Sequence, residues 1–155
     1  MDIKETRNLY GLSQLEAAAI VNIPVRTFRR YECNEHYGSP LKREIIIDKI
    51  NKHCEITEEK GLLTVDKIKE LLLPILNKHK INYCYLFGSY AKGTPRENSD
   101  IDLLIDTDLT GFDFFGLIEE IRSALHKKID LLRLKDLTND NPIVMEILKE
   151  GIRLL

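Results

Sequence analysis

A chain of 155 residues has room for one domain or two small ones, and 43% apolar with 31% charged residues is the balance of a globular protein. Its formal charge of −2 excludes a global positive field, so any contact with nucleic acid must come from a local patch. No apolar run is long enough to span a membrane, no signal-peptide h-region follows Met1, and Cys33, Cys54 and Cys84 form no CxxC pair, so a reducing cytoplasm fits better than a disulfide framework.

In chain order, the first expected elements are short helices. Ile3 to Tyr10 reads as one, stopped by Gly11. Ser13 with Glu16 forms a capping box for a helix over 14–21, with Leu15, Ala18 and Ala19 on a small apolar face. Asn22-Ile23-Pro24 breaks that helix, and Pro24 suits the start of another that runs from Val25 to about Glu32. Two short helices joined by a tight turn make a helix-turn-helix. The string from Leu12-Ser13-Gln14 to Arg26-Thr27-Phe28-Arg29-Arg30-Tyr31-Glu32 resembles the Xre/Cro-type repressor version. The resemblance implies operator DNA as a partner, with Gln14 on a phosphate and Arg26, Thr27, Arg29 and Arg30 on phosphates and base edges. The competing reading is a helical protein-docking module with a solvated basic face, since the stretch up to Lys60 carries about ten acids and about ten bases.

After a turn cluster at His36–Pro40, Leu41 to about Lys52 reads as a helix with Leu41, Ile45, Ile46 and Ile50 on one side. The expected domains are a helix-turn-helix domain over 1–56, a linker over 57–63 and a second domain over 64–155. The second domain opens with a helix capped by Thr64, in which Pro74 should kink the helix or bring it near its end. A strand over 82–87, a short helix from Ser89 to Lys92 and a strand over 100–106 follow. Next come an amphipathic helix from about Asp113 to His126, a third strand over 128–134, a helix over 142–150 and an edge strand at the end. Phe112, Phe114 and Phe115 are expected in core or lid packing, and Asp106 and Asp108 as solvated strand-end residues. The fold class is α+β: a small all-α domain, then a mixed sheet flanked by helices.

The chemistry concentrates in Leu86-Phe87-Gly88-Ser89-Tyr90-Ala91-Lys92 and Asn98-Ser99-Asp100-Ile101-Asp102. Asp100 and Asp102 share one face of a strand, while Ile101, Leu103 and Ile105 take the other. Adjacent carboxylates repel, and oxygen-only ligands suit a hard cation such as Mg²⁺. Gly88 lets the backbone come close to a ligand, and a short helix starting at Ser89 would offer its amide and hydroxyl to phosphate. The bland alternative is a helix–strand connection whose aspartates only solvate a strand end.

Gly-Ser after an apolar strand, a loop of about ten residues and then Asp-apolar-Asp resemble the signature of the DNA polymerase beta-like nucleotidyltransferase superfamily. The fuller string GSYAKGTPRENSDIDLLID looks like its small subgroup, the minimal nucleotidyltransferases or MNT proteins, with Lys92 where many members carry Arg. The resemblance implies Mg²⁺ on Asp100 and Asp102, with Asp130 as the third carboxylate, acting as metal ligand or base. It implies ATP as substrate, with Gly88 and Ser89 on its phosphates and Lys92 and Arg96 as candidates for phosphate charge. MNT proteins are typically paired with a HEPN-type ribonuclease toxin. The implied function is an antitoxin that oligomerises with that partner and transfers AMP to one of its hydroxyls, most simply a tyrosine. Two alternatives stand beside it: a catalytically dead DNA-binding antitoxin that acts by docking, and a small-molecule nucleotidyltransferase, for example on an aminoglycoside.

Overall fold

The computed structural model describes residues 1–155, which divide into two compact units, Met1–Glu55 and Ile56–Leu155. No helix is long and apolar enough to cross a membrane.

The first unit is all helical: α1 (Ile3–Leu9), α2 (Gln14–Val21), α3 (Val25–Cys33) and α4 (Pro40–Cys54). Their starts are written in the sequence. Asp2 with Glu5 and Ser13 with Glu16 form reciprocal capping boxes, and the Ser39 hydroxyl accepts from the Lys42 amide. Asn22, in the left-handed region at φ 58°, ends α2 and turns the chain into α3. Ala17 and Ala18 let α2 lie close to its neighbours, and Ile3, Val21, Phe28, Tyr31, Ile46 and Ile50 complete the core. The apolar faces differ from expectation. Leu15 is 68% exposed, as are Leu41 at 65% and Ile45 at 45%, whereas Ala17 is fully buried. The inner face of α2 is therefore the Ala17–Ala18–Val21 stripe, one step round from the expected one.

The second unit builds a four-stranded mixed sheet in the order β3-β2-β1-β4, from β1 (Cys84–Phe87), β2 (Ile101–Ile105), β3 (Ile129–Arg133) and β4 (Ile152–Arg153). β1 pairs antiparallel with both β2 and β4, and β2 runs parallel to β3. The parallel pair needs a crossover, which α7 (Gly111–Leu125) supplies. Ile101, Leu103 and Ile105 are fully buried in one cluster with Ile68 and Leu72 of α5 (Val65–Lys78) and with Leu117 and Ile121 of α7. Each such side chain contributes about 1.5–3 kcal/mol by leaving water. Pro74 lies inside α5, which ends about one turn later at Lys78, as expected of a proline near the end of a helix; burial of Ile75 and Leu76 holds that last turn to the core. The expected linker stretch belongs to this unit. Thr57 bridges Lys60, Glu58 accepts a hydrogen bond from Arg122, and Leu63 is buried. Phe112 and Phe115 are 95% and 65% exposed, so only Phe114 packs, under the Arg133 guanidinium 4.9 Å from its ring centre. The chain closes with α8 (Pro142–Glu150), which packs on β1 and on the short α6 (Gly88–Lys92).

Candidate active site

Three strands bring the site to one rim of the sheet. In the β1/β2 ladder Phe87 faces Asp102, and in the parallel β2/β3 ladder Asp102 faces Asp130. Side chains in register on neighbouring strands point to the same side. Asp130, more than twenty residues along the chain, thus stands beside Asp102. Asp100 immediately precedes β2 and is exposed, as is Asp130, while Asp102 is half-buried. Gly88 follows β1 at φ 70°, and a Cβ built on it would overlap the Asp102 carboxylate. Only glycine serves here, on both counts. Ser89 comes next at the start of α6, whose first turn no side chain caps, and the buried Tyr90 anchors that helix in the core.

The electrostatics of the rim are those of crowded like charges. Burial, then repulsion from Asp130 and Asp100, pushes the Asp102 carboxyl up to about 6, with Glu146 adding to the push and Lys92 opposing it. No three acidic or imidazole side chains converge closely enough to enclose an ion by themselves. That arrangement fits Mg²⁺, which commonly takes one or two protein carboxylates and completes its octahedron with substrate phosphates and water. The oxygen-only donor set and the glycine cradle against Asp102 fit the same ion. Asp100 and Asp130 also line an adjoining cavity of about 430 Å³ with Ile118, Glu119, Arg122, Lys128 and Ile129.

The remaining expected site residues are placed differently. The Lys92 ammonium lies 2.8 Å from Glu146 and 3.7 Å from Glu150 of α8, and the hydrogen bond to Glu146 raises its pKa. It is held by carboxylates beside the rim. Arg96 is exposed in the loop before β2, where its backbone amide donates to the Ser99 hydroxyl at 2.8 Å. Gln14, Arg26, Thr27, Arg29 and Arg30 all belong to the first unit. There Arg29 Nε donates to Gln14 Oε1 at 2.8 Å, and Gln14 Nε2 donates to Glu32 at 2.5 Å. Glu32 also takes Arg7 at 2.5 Å, with its side chain only 2% exposed. Arg26 is exposed, Thr27 is half-buried, and Arg30 stacks over Tyr37 at 5.8 Å. Sequence reasoning missed Glu146 and Glu150. Their four-residue spacing marks one helix face, but nothing local says that Lys92 sits opposite.

Residues 67–155 match the family model described as "Polymerase beta, Nucleotidyltransferase". The chain belongs to that family. It is a nucleotidyltransferase, and its α+β fold is the one that sequence patterning predicts. A relative from Methanocaldococcus jannaschii, named "Putative protein adenylyltransferase", is 34% identical over 97 residues, covering 57% of this chain and 95% of its own. "Protein adenylyltransferase MntA" of Shewanella oneidensis is 40% identical over 76 residues, 47% of this chain and 52% of MntA. Among solved structures, one described as "Crystal structure of the toxin-antitoxin with AMP-PNP" superposes with a TM-score of 0.50 at 27% identity, over 56% of this chain and 72% of that one.

Proposed function

We propose that this nucleotidyltransferase moves AMP from ATP to a hydroxyl of a partner protein, a HEPN-type toxin, and thereby acts as its antitoxin. The observation that carries the reading is the register of Asp102 against Asp130 beneath Gly88. It is supported by relatives named as protein adenylyltransferases and by a structural neighbour that is a toxin–antitoxin assembly with an ATP analogue.

Asp100 and Asp102 would hold Mg²⁺, which when bound offsets the charge that develops on the triphosphate as pyrophosphate leaves, with Asp130 beside them free to act as base. Gly88 and Ser89 admit the β- and γ-phosphates, because the glycine leaves the backbone uncovered. Asp130 faces the open cavity, where an incoming hydroxyl approaches the α-phosphorus in line. The hydroxyl oxygen bonds to phosphorus as the α–β bridging P–O bond breaks. The hydroxyl proton passes to the Asp130 carboxylate. An open cavity accepts a side chain on a macromolecule, a tyrosine above all, better than it grips a free small alcohol. Lys92 and Arg96 are candidates to serve the phosphates, Lys92 on release from Glu146.

The test is intact mass spectrometry of the partner toxin incubated with ATP, Mg²⁺ and either wild type or Asp102→Asn. An AMP increment with wild type alone is expected. Neutralisation without any mass change, equal for both proteins, would replace the reading with a docking antitoxin. For the first unit, the exposed basic face of α3 supports contact with operator DNA through Arg26, Arg29 and Arg30, flanked by Gln14 and Thr27. Repression of the protein's own operon would follow.

A further inference from the structure

Lys127 is the one charged residue with no solvent exposure at all. It follows the left-handed cap of α7 at His126 and precedes β3. No carboxylate pairs with it. Its ammonium instead donates to two loop carbonyls, Glu97 O and, at 3.2 Å, Lys60 O. An ammonium buried against carbonyls alone carries a desolvation cost, which lowers its pKa against the smaller opposing pull of Glu97. Such an expensive group calls for a reason beyond filling space.

That reason is visible in the loop it grips. Residues 93–100 join α6 to β2 and contain neither helix nor strand. Their local ties are Thr94 N–H to Ser89 O at 3.0 Å, Ser99 N–H to Arg96 O at 2.9 Å, and the Arg96 amide to the Ser99 hydroxyl at 2.8 Å. The Lys127 ammonium fixes Glu97 O, and the next residue, Lys128, accepts from Ile101 N–H at 2.9 Å. Asp100 lies between these two grips. Asp130, two residues beyond Lys128, rides on the same stretch. One dipeptide therefore holds both sides of Asp100 and leads directly into Asp130.

We propose that Lys127 is a positioning residue for nucleotidyl transfer, clamping the Glu97 carbonyl so that Asp100 is already set against Asp102 and Asp130 before substrate arrives. The assignment rests on the reading of these aspartates as the Mg²⁺–ATP site. The clamp closes the second link through Lys60 O, which joins the 56–63 segment to the same ammonium. Removing the donors takes the ammonium from Glu97 O, leaves Lys60 O with the Thr57 N–H at 2.9 Å and frees the loop, whereas an arginine keeps donors at the same place.

The experiment compares wild type, Lys127→Met and Lys127→Arg in two readouts. Amide hydrogen exchange, without metal or nucleotide, follows Ser99 and Ile101. Calorimetric titration with ATP over a series of Mg²⁺ concentrations gives the Mg²⁺ midpoint for binding. In Lys127→Met the two amides should exchange about tenfold faster or more while α7 keeps its protection, and the Mg²⁺ midpoint should rise by about tenfold or more. Lys127→Arg should restore both to within about threefold. A folded Lys127→Met with wild-type exchange at Ser99 and Ile101 overturns the proposal. So does a general loss of protection with an unchanged Mg²⁺ midpoint, which is the mark of a merely structural lysine. If Lys127→Met does not fold, wild type decides: protection of Ser99 and Ile101 in the free protein supports the clamp, and unprotected rates there overturn it. Exchange is read without substrate, so an inability of wild type to bind Mg²⁺–ATP would sink the transferase reading separately.

Discussion

Two clusters of charge, one in each unit, are built on opposite rules. In the first unit Glu32 is almost fully buried, and it receives both Arg7 and Gln14, with Arg29 closing the chain of hydrogen bonds on Gln14. Every group there has a partner of complementary sign or polarity. At the sheet rim of the second unit, Asp102 stands in register with Asp130 and just after Asp100, and repulsion from both adds to burial in pushing Asp102 up to about 6. A matched network holds a fold together. An unmatched one is destabilising unless a ligand completes it, and that is why perturbed carboxylates of like charge mark sites of chemistry. Lys92 lies at the border between the two rules, since Glu146 and Glu150 satisfy it beside the crowded carboxylates of the rim.

Changes on each side should sort accordingly. The largest effect is expected from Asp100→Asn/Asp102→Asn. Transfer should fall by two or more orders of magnitude, roughly the loss of about 3 kcal/mol or more of transition-state stabilisation, while the melting temperature holds or rises. Unchanged ATP and Mg²⁺ titration in this double variant would show that the rim is not the metal site. Next, Glu32→Ala takes the charge partner from a part-buried Arg7, which keeps only the Leu12 carbonyl, and should destabilise the first unit by about 2 kcal/mol. Urea unfolding followed by amide exchange in α1 and α3 measures it, and a change below ~0.5 kcal/mol would mean that the network is ornamental.

A smaller effect concerns pH. The folded-state value of Asp102, about 6, lies above its ordinary 3.8, so the folded protein binds that proton more tightly than the unfolded chain does. Ionisation then costs stability as pH rises from about 4 to about 6, and the cost is complete above that window. With metal chelated, Asp102→Asn should exceed wild type by ~1–2 kcal/mol at pH 7.5, after allowance for partial solvent screening, and should match it near pH 3.5. Equal stability at both pH values would remove the repulsion argument. The smallest structural effect is expected from Arg30→Ala, an exposed side chain whose loss should change stability by no more than about 0.5 kcal/mol. On the proposed operator-DNA reading, its signature lies in DNA binding, where each phosphate contact removed lowers the salt slope by about one. A gel-shift series on the protein's own upstream DNA with an unaltered slope would favour the docking module.

The local code determined a good deal. Capping boxes at Asp2/Glu5 and Ser13/Glu16, the break at Asn22–Pro24 and the alternation Ile101–Asp102–Leu103 depend on backbone geometry over a few residues, so a linear reading finds them. Gly88 followed at fixed distance by Asp100 and Asp102 was legible for the same reason, and it carried both the family and the expected centre of chemistry. Which side of a helix meets a neighbour is a different matter. Leu15 was expected on an inner face, and Phe112 and Phe115 in core or lid packing, and all three are exposed, because an apolar stripe on one helix does not say where the next helix lies. Only the tertiary structure decided that Asp130 stands in register with Asp102, that Glu146 captures Lys92, that Glu32 joins Arg7 to Gln14 and that Lys127 grips Glu97. Each of these joins residues far apart in the chain. Their energies come from desolvation and charge at the meeting point, which no short window of sequence contains.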